Sequence, residues 1–89
     1  MSLETLTLGS NTLTPAFDPN VTSYSANITT ATTSVTATAD DPNATVVKKL
    51  NGSVVSGNTV TWTDNPDVLT IEVTNGGLTK TYTVNVTHT

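Results

Sequence analysis

The chain has 89 residues, enough for one hydrophobic core and not two. Its apolar share of 35% and charged share of 11% are the reverse of the low-hydrophobicity, high-charge balance of a disordered chain, so a folded domain with polar faces is expected. A net charge of −4 with only Lys48, Lys49 and Lys80 as cations argues against a nucleic-acid partner, and the absence of cysteine excludes disulfide staples and thiolate metal sites.

No apolar run approaches the roughly 18 residues of a membrane span, so membrane insertion is not expected. The start Met1-Ser2-Leu3-Glu4 lacks the charged and apolar regions of a secretion signal, and residues 1–89 read as a single domain excised from a larger multidomain protein. Threonine makes up about a quarter of the chain. Its β-branched side chain suits the pleated surface of a strand while its hydroxyl tolerates water, which predicts solvent-exposed sheet faces.

In chain order, Leu3, Leu6 and Leu8 bracket threonines until Gly9-Ser10-Asn11 breaks the run before Leu13, which predicts a first edge strand interrupted by a turn or kink, with Leu6 and Leu8 turned to the core. The segment from Pro15 to Asn20 carries Pro15 and Pro19 around Phe17. Proline cannot donate to a central ladder, so this is a connection whose phenyl ring plugs the sandwich end. If that ring is core, Phe17→Ala should cost on the order of 3 to 5 kcal/mol. Tyr24, Ala26 and Ile28, then Val35, Ala37 and Ala39, mark two strands with one buried face each.

Asp40-Asp41-Pro42-Asn43 reads as a turn, followed by a strand from Thr45 to Leu50. Asn51-Gly52 is the strongest hairpin signal in the chain, since both residues tolerate the positive φ of a type I′ turn. Val54 and Val55 begin the return. A second break at Ser56-Gly57-Asn58 precedes Val60-Thr61-Trp62, and Asp64-Asn65-Pro66-Asp67 closes that segment. Leu69, Ile71 and Val73 then alternate, Asn75-Gly76-Gly77 turns the chain, and Tyr82, Val84 and Val86 form the last strand. Short strands punctuated about every 8 to 12 residues, with no helical periodicity, predict an all-β fold: an immunoglobulin-like antiparallel β-sandwich of about seven strands. A closed barrel is the alternative.

The succession Leu3-x-x-Leu6-x-Leu8, Leu13-x-Pro15-Ala16-Phe17-Asp18-Pro19, Thr22-x-Tyr24 and Gly77-x-x-Lys80-Thr81-Tyr82-Thr83-Val84-x-Val86 spans nearly the whole chain. Together these landmarks resemble the bacterial cadherin-like β-sandwich family. The resemblance implies an immunoglobulin-like sandwich, often one of several tandem units in secreted, wall-associated or phage-encoded proteins, with no enzyme activity. It implies that Phe17, Tyr24 and Tyr82 are core or corner residues and that Asp18 caps the turn leading to Tyr24. Lys48-Lys49-Leu50 and Asn65-Pro66-Asp67 depart from the regular connections expected of the family.

Catalysis needs a nucleophile or acid–base pair held by partners, yet the single histidine, His88, is next to last and there is no thiol, so neither catalytic residues nor a cofactor are expected. Calcium favours hard oxygen ligands gathered from loops, which makes Asp40, Asp41, Asp64 and Asp67 the metal candidates; the same residue types are also ordinary turn formers. The sequons at Asn20, Asn27, Asn43, Asn51 and Asn85 are explained by composition, since about three would arise by chance in a chain this rich in Asn, Ser and Thr.

Trp62 is the candidate ligand-binding residue, because a flat ring stacks on a sugar face; the competing reading places it in the core. A lysine–asparagine crosslink would need a buried lysine beside an acid, whereas Lys80 is expected to be solvated.

The leading functional expectation is a non-catalytic spacer or display module of a cell-surface, secreted or phage structural protein, monomeric in isolation, whose partners are neighbouring domains. The alternatives are an adhesive or carbohydrate-binding module contacting cell-wall or surface glycan or protein, and an accessory domain of an extracellular glycan-degrading enzyme.

Overall fold

A computed structural model describes residues 2–9, 11, 13–55, 57–63 and 66–88, the side chain of His88 excepted. Its strands are β1 (Leu3–Leu8), β2 (Ser23–Ile28), β3 (Thr32–Ala39), β4 (Thr45–Leu50), β5 (Ser53–Val55), β6 (Thr59–Thr61), β7 (Asp67–Asn75) and β8 (Leu78–His88). One sheet has the order β1-β3-β6 and the other β2-β8-β7-β4-β5. The two face each other as a sandwich, and the all-β expectation holds. The described strands number eight, against about seven expected, because the breaks at 51–52 and 57–58 each release a short strand, β5 and β6.

The alternation read from the sequence is what builds the core. Tyr24, Ala26 and Ile28 of β2, Leu69, Ile71 and Val73 of β7, and Tyr82, Val84 and Val86 of β8 are all buried, while Ser and Thr between them face water. Each fully buried large side chain contributes about 1.5 to 3 kcal/mol over its exposed state. Leu3 joins Leu6 and Leu8 in this core although it lies three residues from Leu6, a spacing that in a regular strand puts two side chains on opposite faces. The register explains it: Leu3 pairs with Ala39 and Thr5 with Thr38, so Glu4 is an extra, bulged residue that returns Leu3 to the inner face.

The pairing is antiparallel throughout the described strands except between β2 and β8, which run parallel from Ser23–Thr83 to Ile28–His88. That exception to the antiparallel expectation follows from the proline-flanked connection. No hairpin links β1 to β2, so the chain is free to cross to the second sheet and lie beside its last strand. The 51–52 turn has the expected conformation, with φ of 51° at Asn51 and 88° at Gly52.

Opposite residues in a ladder share a face, so Val46, Lys48 and Leu50, paired with Val73, Ile71 and Leu69, all point inward. Lys48 lies at the open margin of the sandwich. Its stem covers the core and its Nζ donates to Asn58 Oδ1 at 3.1 Å and to the Val35 carbonyl at 3.5 Å, tying β4 across to the other sheet. This is the physical content of the Lys48-Lys49 departure noted above, for Lys49 points outward and pairs with Glu72 at 3.3 Å.

Strand directions give the body two poles. The chain enters β1 at Leu3, beside Ala39, and leaves β8 at His88, beside Ile28. Ser2 hydrogen-bonds Lys80, which lies eight residues before His88 on β8, about 25 Å away at about 3.3 Å per residue. The longest dimension of the body is 38 Å. The sheets therefore carry the chain from one end of the body to the other.

Candidate functional site

A set of polar contacts fastens the segment 14–25 to β8, and Tyr82 and Lys80 of β8 extend it to the start of β1. Thr14 and Ser25 exchange backbone hydrogen bonds at 2.9 and 2.8 Å, closing the segment into a loop. Inside it, the Tyr24 hydroxyl donates to the Asp18 carbonyl at 2.6 Å and accepts from the Asp18 N–H at 3.0 Å. Asp18 Oδ1 in turn accepts from the Asn20 N–H at 2.9 Å, and its carbonyl accepts from the Val21 N–H at 2.9 Å, so Asp18 caps the turn as the resemblance implied. Phe17 is half-buried rather than fully core and stacks on Tyr24 with centroids 5.9 Å apart.

Tyr82 holds the next residue along. Its hydroxyl donates to the Pro19 carbonyl at 2.7 Å and accepts from the Leu3 N–H at 3.1 Å. Lys80 Nζ donates to the same carbonyl at 3.0 Å and to Ser2 Oγ at 3.2 Å, and sits 5.2 Å from the centre of the Tyr82 ring. Lys80 is thus a half-exposed side chain that also serves as a fastening. These two partners, a carbonyl and a hydroxyl, supply no acid for a crosslink. One clasp gathers Leu3, Asp18, Pro19, Tyr24, Lys80 and Tyr82, the landmarks of the sequence resemblance.

The aspartates do not converge. Asp67 is the first residue of β7, while Asp41 Oδ2 accepts from Nδ2 of Asn75, the last residue of that strand, at 2.7 Å. The two carboxylates therefore lie at opposite poles, about 25 Å apart by strand rise. Asp40 Oδ1 accepts from the Ser2 N–H at 3.0 Å, and that bond above all holds its carboxyl below the usual range. Asp41 Oδ1 accepts from the Asn43 N–H at 2.9 Å. Asp64 lies outside the described residues. Among the described residues no group of three or more metal-ligating side chains forms, and each located aspartate accepts hydrogen bonds from neighbouring backbone or amide groups.

Asp67 is fully buried, its Oδ1 accepting from Asn51 Nδ2 at 2.7 Å and its Oδ2 from the Thr63 N–H at 3.2 Å. Asp64-Asn65-Pro66-Asp67 predicts a turn, but Asp67 begins β7 in phase with Leu69, Ile71 and Val73, and that phase is the signal for its burial. Thr33 was missed in the same way: it lies in phase with Val35 and is buried. Its hydroxyl accepts from the Trp62 indole N–H at 3.0 Å.

Trp62 itself is 8% exposed, so its ring lies in the core and presents no face to a sugar. Among the described residues no buried side-chain polar atom lacks a partner, and no cavity is present. His88 is placed at the end of β8. The sequon asparagines Asn20, Asn27, Asn43, Asn51 and Asn85 are all on exposed turns or outer sheet faces.

A two-sheet sandwich whose polar contacts fasten strands and turns to one another, with its carboxylates engaged in those contacts, defines a structural or adhesion-type module. The family model of the cadherin-like beta sandwich domain matches residues 3–89, and the chain belongs to that family. Neither the curated proteins nor the solved structures compared with it gave a match. The cadherin-like β-sandwich is in general a non-catalytic fold, and domains of this kind are typically extracellular. No helix among the described residues is long and apolar enough to cross a membrane.

Proposed function

We propose that this domain is a rigid spacer or display unit of a cell-surface, secreted or virion-associated protein, with neighbouring domains of the same polypeptide as its partners. The observation that supports this most is the placement of Ser2 and His88 toward opposite poles of a body 38 Å long, the arrangement that lets domains follow one another head to tail. The sheet edges fit a module that stays monomeric. β5 and β6 are three residues each, β1 carries the Glu4 bulge, and β2 is covered at Ser25 by Thr14, the devices that block edge-to-edge pairing.

The test is a glycan-array and cell-wall binding screen on the purified domain, with sedimentation to establish its mass. No binding and a monomer are expected; specific binding overturns the spacer reading. In that event the second reading applies, adhesion through a pole. It is favoured by Leu78, which is 69% exposed at the tip of the β7–β8 turn, and Leu78→Asp is the variant that should abolish such binding. An accessory role beside a glycan-degrading domain would show as binding of the same kind.

A further inference from the structure

We infer that the domain is a load-bearing element: tension applied between its two ends is resisted by strands in shear, β1 along β3 and then β2 along β8, with the Tyr82–Pro19–Leu3 clasp fastening the N-terminal segment to β8. This rests on the spacer reading, because only a module strung between neighbours is pulled from both ends.

The geometry follows from the register. β1 enters at Leu3 on one pole and runs toward the other, so a pull on the N-terminal side draws it lengthwise along β3. β8 leaves at His88 on the opposite pole, so a pull there draws it lengthwise between β2 and β7, which flank it on both sides. Parallel alignment matters for β2. Its first residue, Ser23, faces the pole where load arrives and pairs with Thr83, while the load on β8 acts beyond His88. Forces of opposite sense on parallel neighbours slide them past each other.

A sliding ladder must break its hydrogen bonds together over a short displacement. A ladder peeled from one end breaks them one at a time. The first presents a steep barrier to force and the second a shallow one, and forced unfolding is governed by the barrier to unfolding rather than by equilibrium stability.

The clasp determines where load enters. Residues 9–22 connect β1 to β2, and a slack connection of that length would let β1 leave before β2 felt any force. Instead Pro19 is held through its carbonyl by both Tyr82 and Lys80, and Thr14 is held to Ser25. Residues 14–25 are thereby fastened to β8 and β2 directly. The Leu3 N–H on the Tyr82 hydroxyl extends the same fastening to the first residue of β1.

The experiment is single-molecule force spectroscopy of the full chain in two pulling geometries. The first uses handles fused to the two chain ends. The second uses one handle at the C-terminus and one at Ser53→Cys, a unique thiol in a chain without cysteine, on an exposed residue of β5 at the same pole as His88. End-to-end pulling is expected to need several-fold more force than the Ser53 geometry, which peels the second sheet from one pole. Equal forces in the two geometries overturn the proposal.

Tyr82→Phe, which keeps the buried ring and removes the hydroxyl, should lower the end-to-end force and leave the peeling force unchanged. A proportionate drop in both geometries removes the clasp from the load path. Glycan binding in the screen above would defeat the spacer reading without altering either force, so the two failures are distinguishable.

Discussion

The Tyr24 hydroxyl and the Asp18 backbone form a reciprocal pair: the hydroxyl donates to the Asp18 carbonyl at 2.6 Å and accepts from the Asp18 N–H at 3.0 Å. One side-chain oxygen thus satisfies both backbone groups of a residue in a stretch that no strand pairs. Tyr24→Phe keeps the buried ring but takes the acceptor from the Asp18 N–H and leaves the Asp18 carbonyl with the Val21 N–H alone, a loss of about 1 to 3 kcal/mol. The check is urea denaturation, in which the midpoint should fall with an unchanged slope.

Phe17 stacks on that same ring but is only half-buried, so its removal exposes less than a core deletion would. Phe17→Ala should cost about 1 to 3 kcal/mol, below the 3 to 5 kcal/mol of a fully buried phenylalanine. A loss in that higher range would show that the ring is as buried as the sequence alone implied.

Trp62 donates to Thr33 in the core, which makes Thr33→Val a clean test. The shape of the side chain is kept and the indole N–H loses its acceptor, at a cost of about 1 to 3 kcal/mol. Trp62 is the single tryptophan, so its fluorescence reports the site directly: a blue-shifted emission that no added saccharide perturbs is expected.

Asp67→Ala should destabilise the domain by about 2 to 4 kcal/mol, because it leaves the Asn51 amide and the Thr63 N–H without this acceptor in a buried setting. With the aspartates at opposite poles, calcium and a chelator should give the same melting temperature for the parent chain. A rise with calcium would point to a site the separated carboxylates do not form.

Acid sensitivity has one identifiable source at the β1 pole. The Ser2 N–H lowers the carboxyl of Asp40 below its ordinary value, so the folded state binds that proton more weakly than the unfolded state does. The resulting stability is present above the unfolded-state value and is lost as pH falls through the lower folded-state value. Asp40→Asn should flatten that limb of the stability–pH curve, a small effect at an exposed site, measurable by comparing denaturation midpoints in mildly and strongly acidic buffer.

The fold class and most of the core were legible in the sequence because a sheet with one wet face writes its burial as alternation. Leu69, Ile71, Val73, Tyr82, Val84 and Val86 show it directly, and the Asn51-Gly52 turn shows it through backbone conformation. The family landmarks were legible too. Leu3-x-x-Leu6 already contained the bulge, since a spacing of three can keep one face only if a residue is extra.

What the tertiary structure alone decided were the long-range pairings, for which local pattern carries no term. That Tyr82 and Lys80 close on Pro19, about sixty positions away in the chain, depends on β2 lying parallel to β8. That Asp40 and Asp41 stand at the pole opposite Asp67 depends on the direction of β7, and that Trp62 turns inward depends on Thr33 waiting across the sheet. Periodicity states which face of a strand is apolar; only the packing of strand on strand states which polar groups meet there.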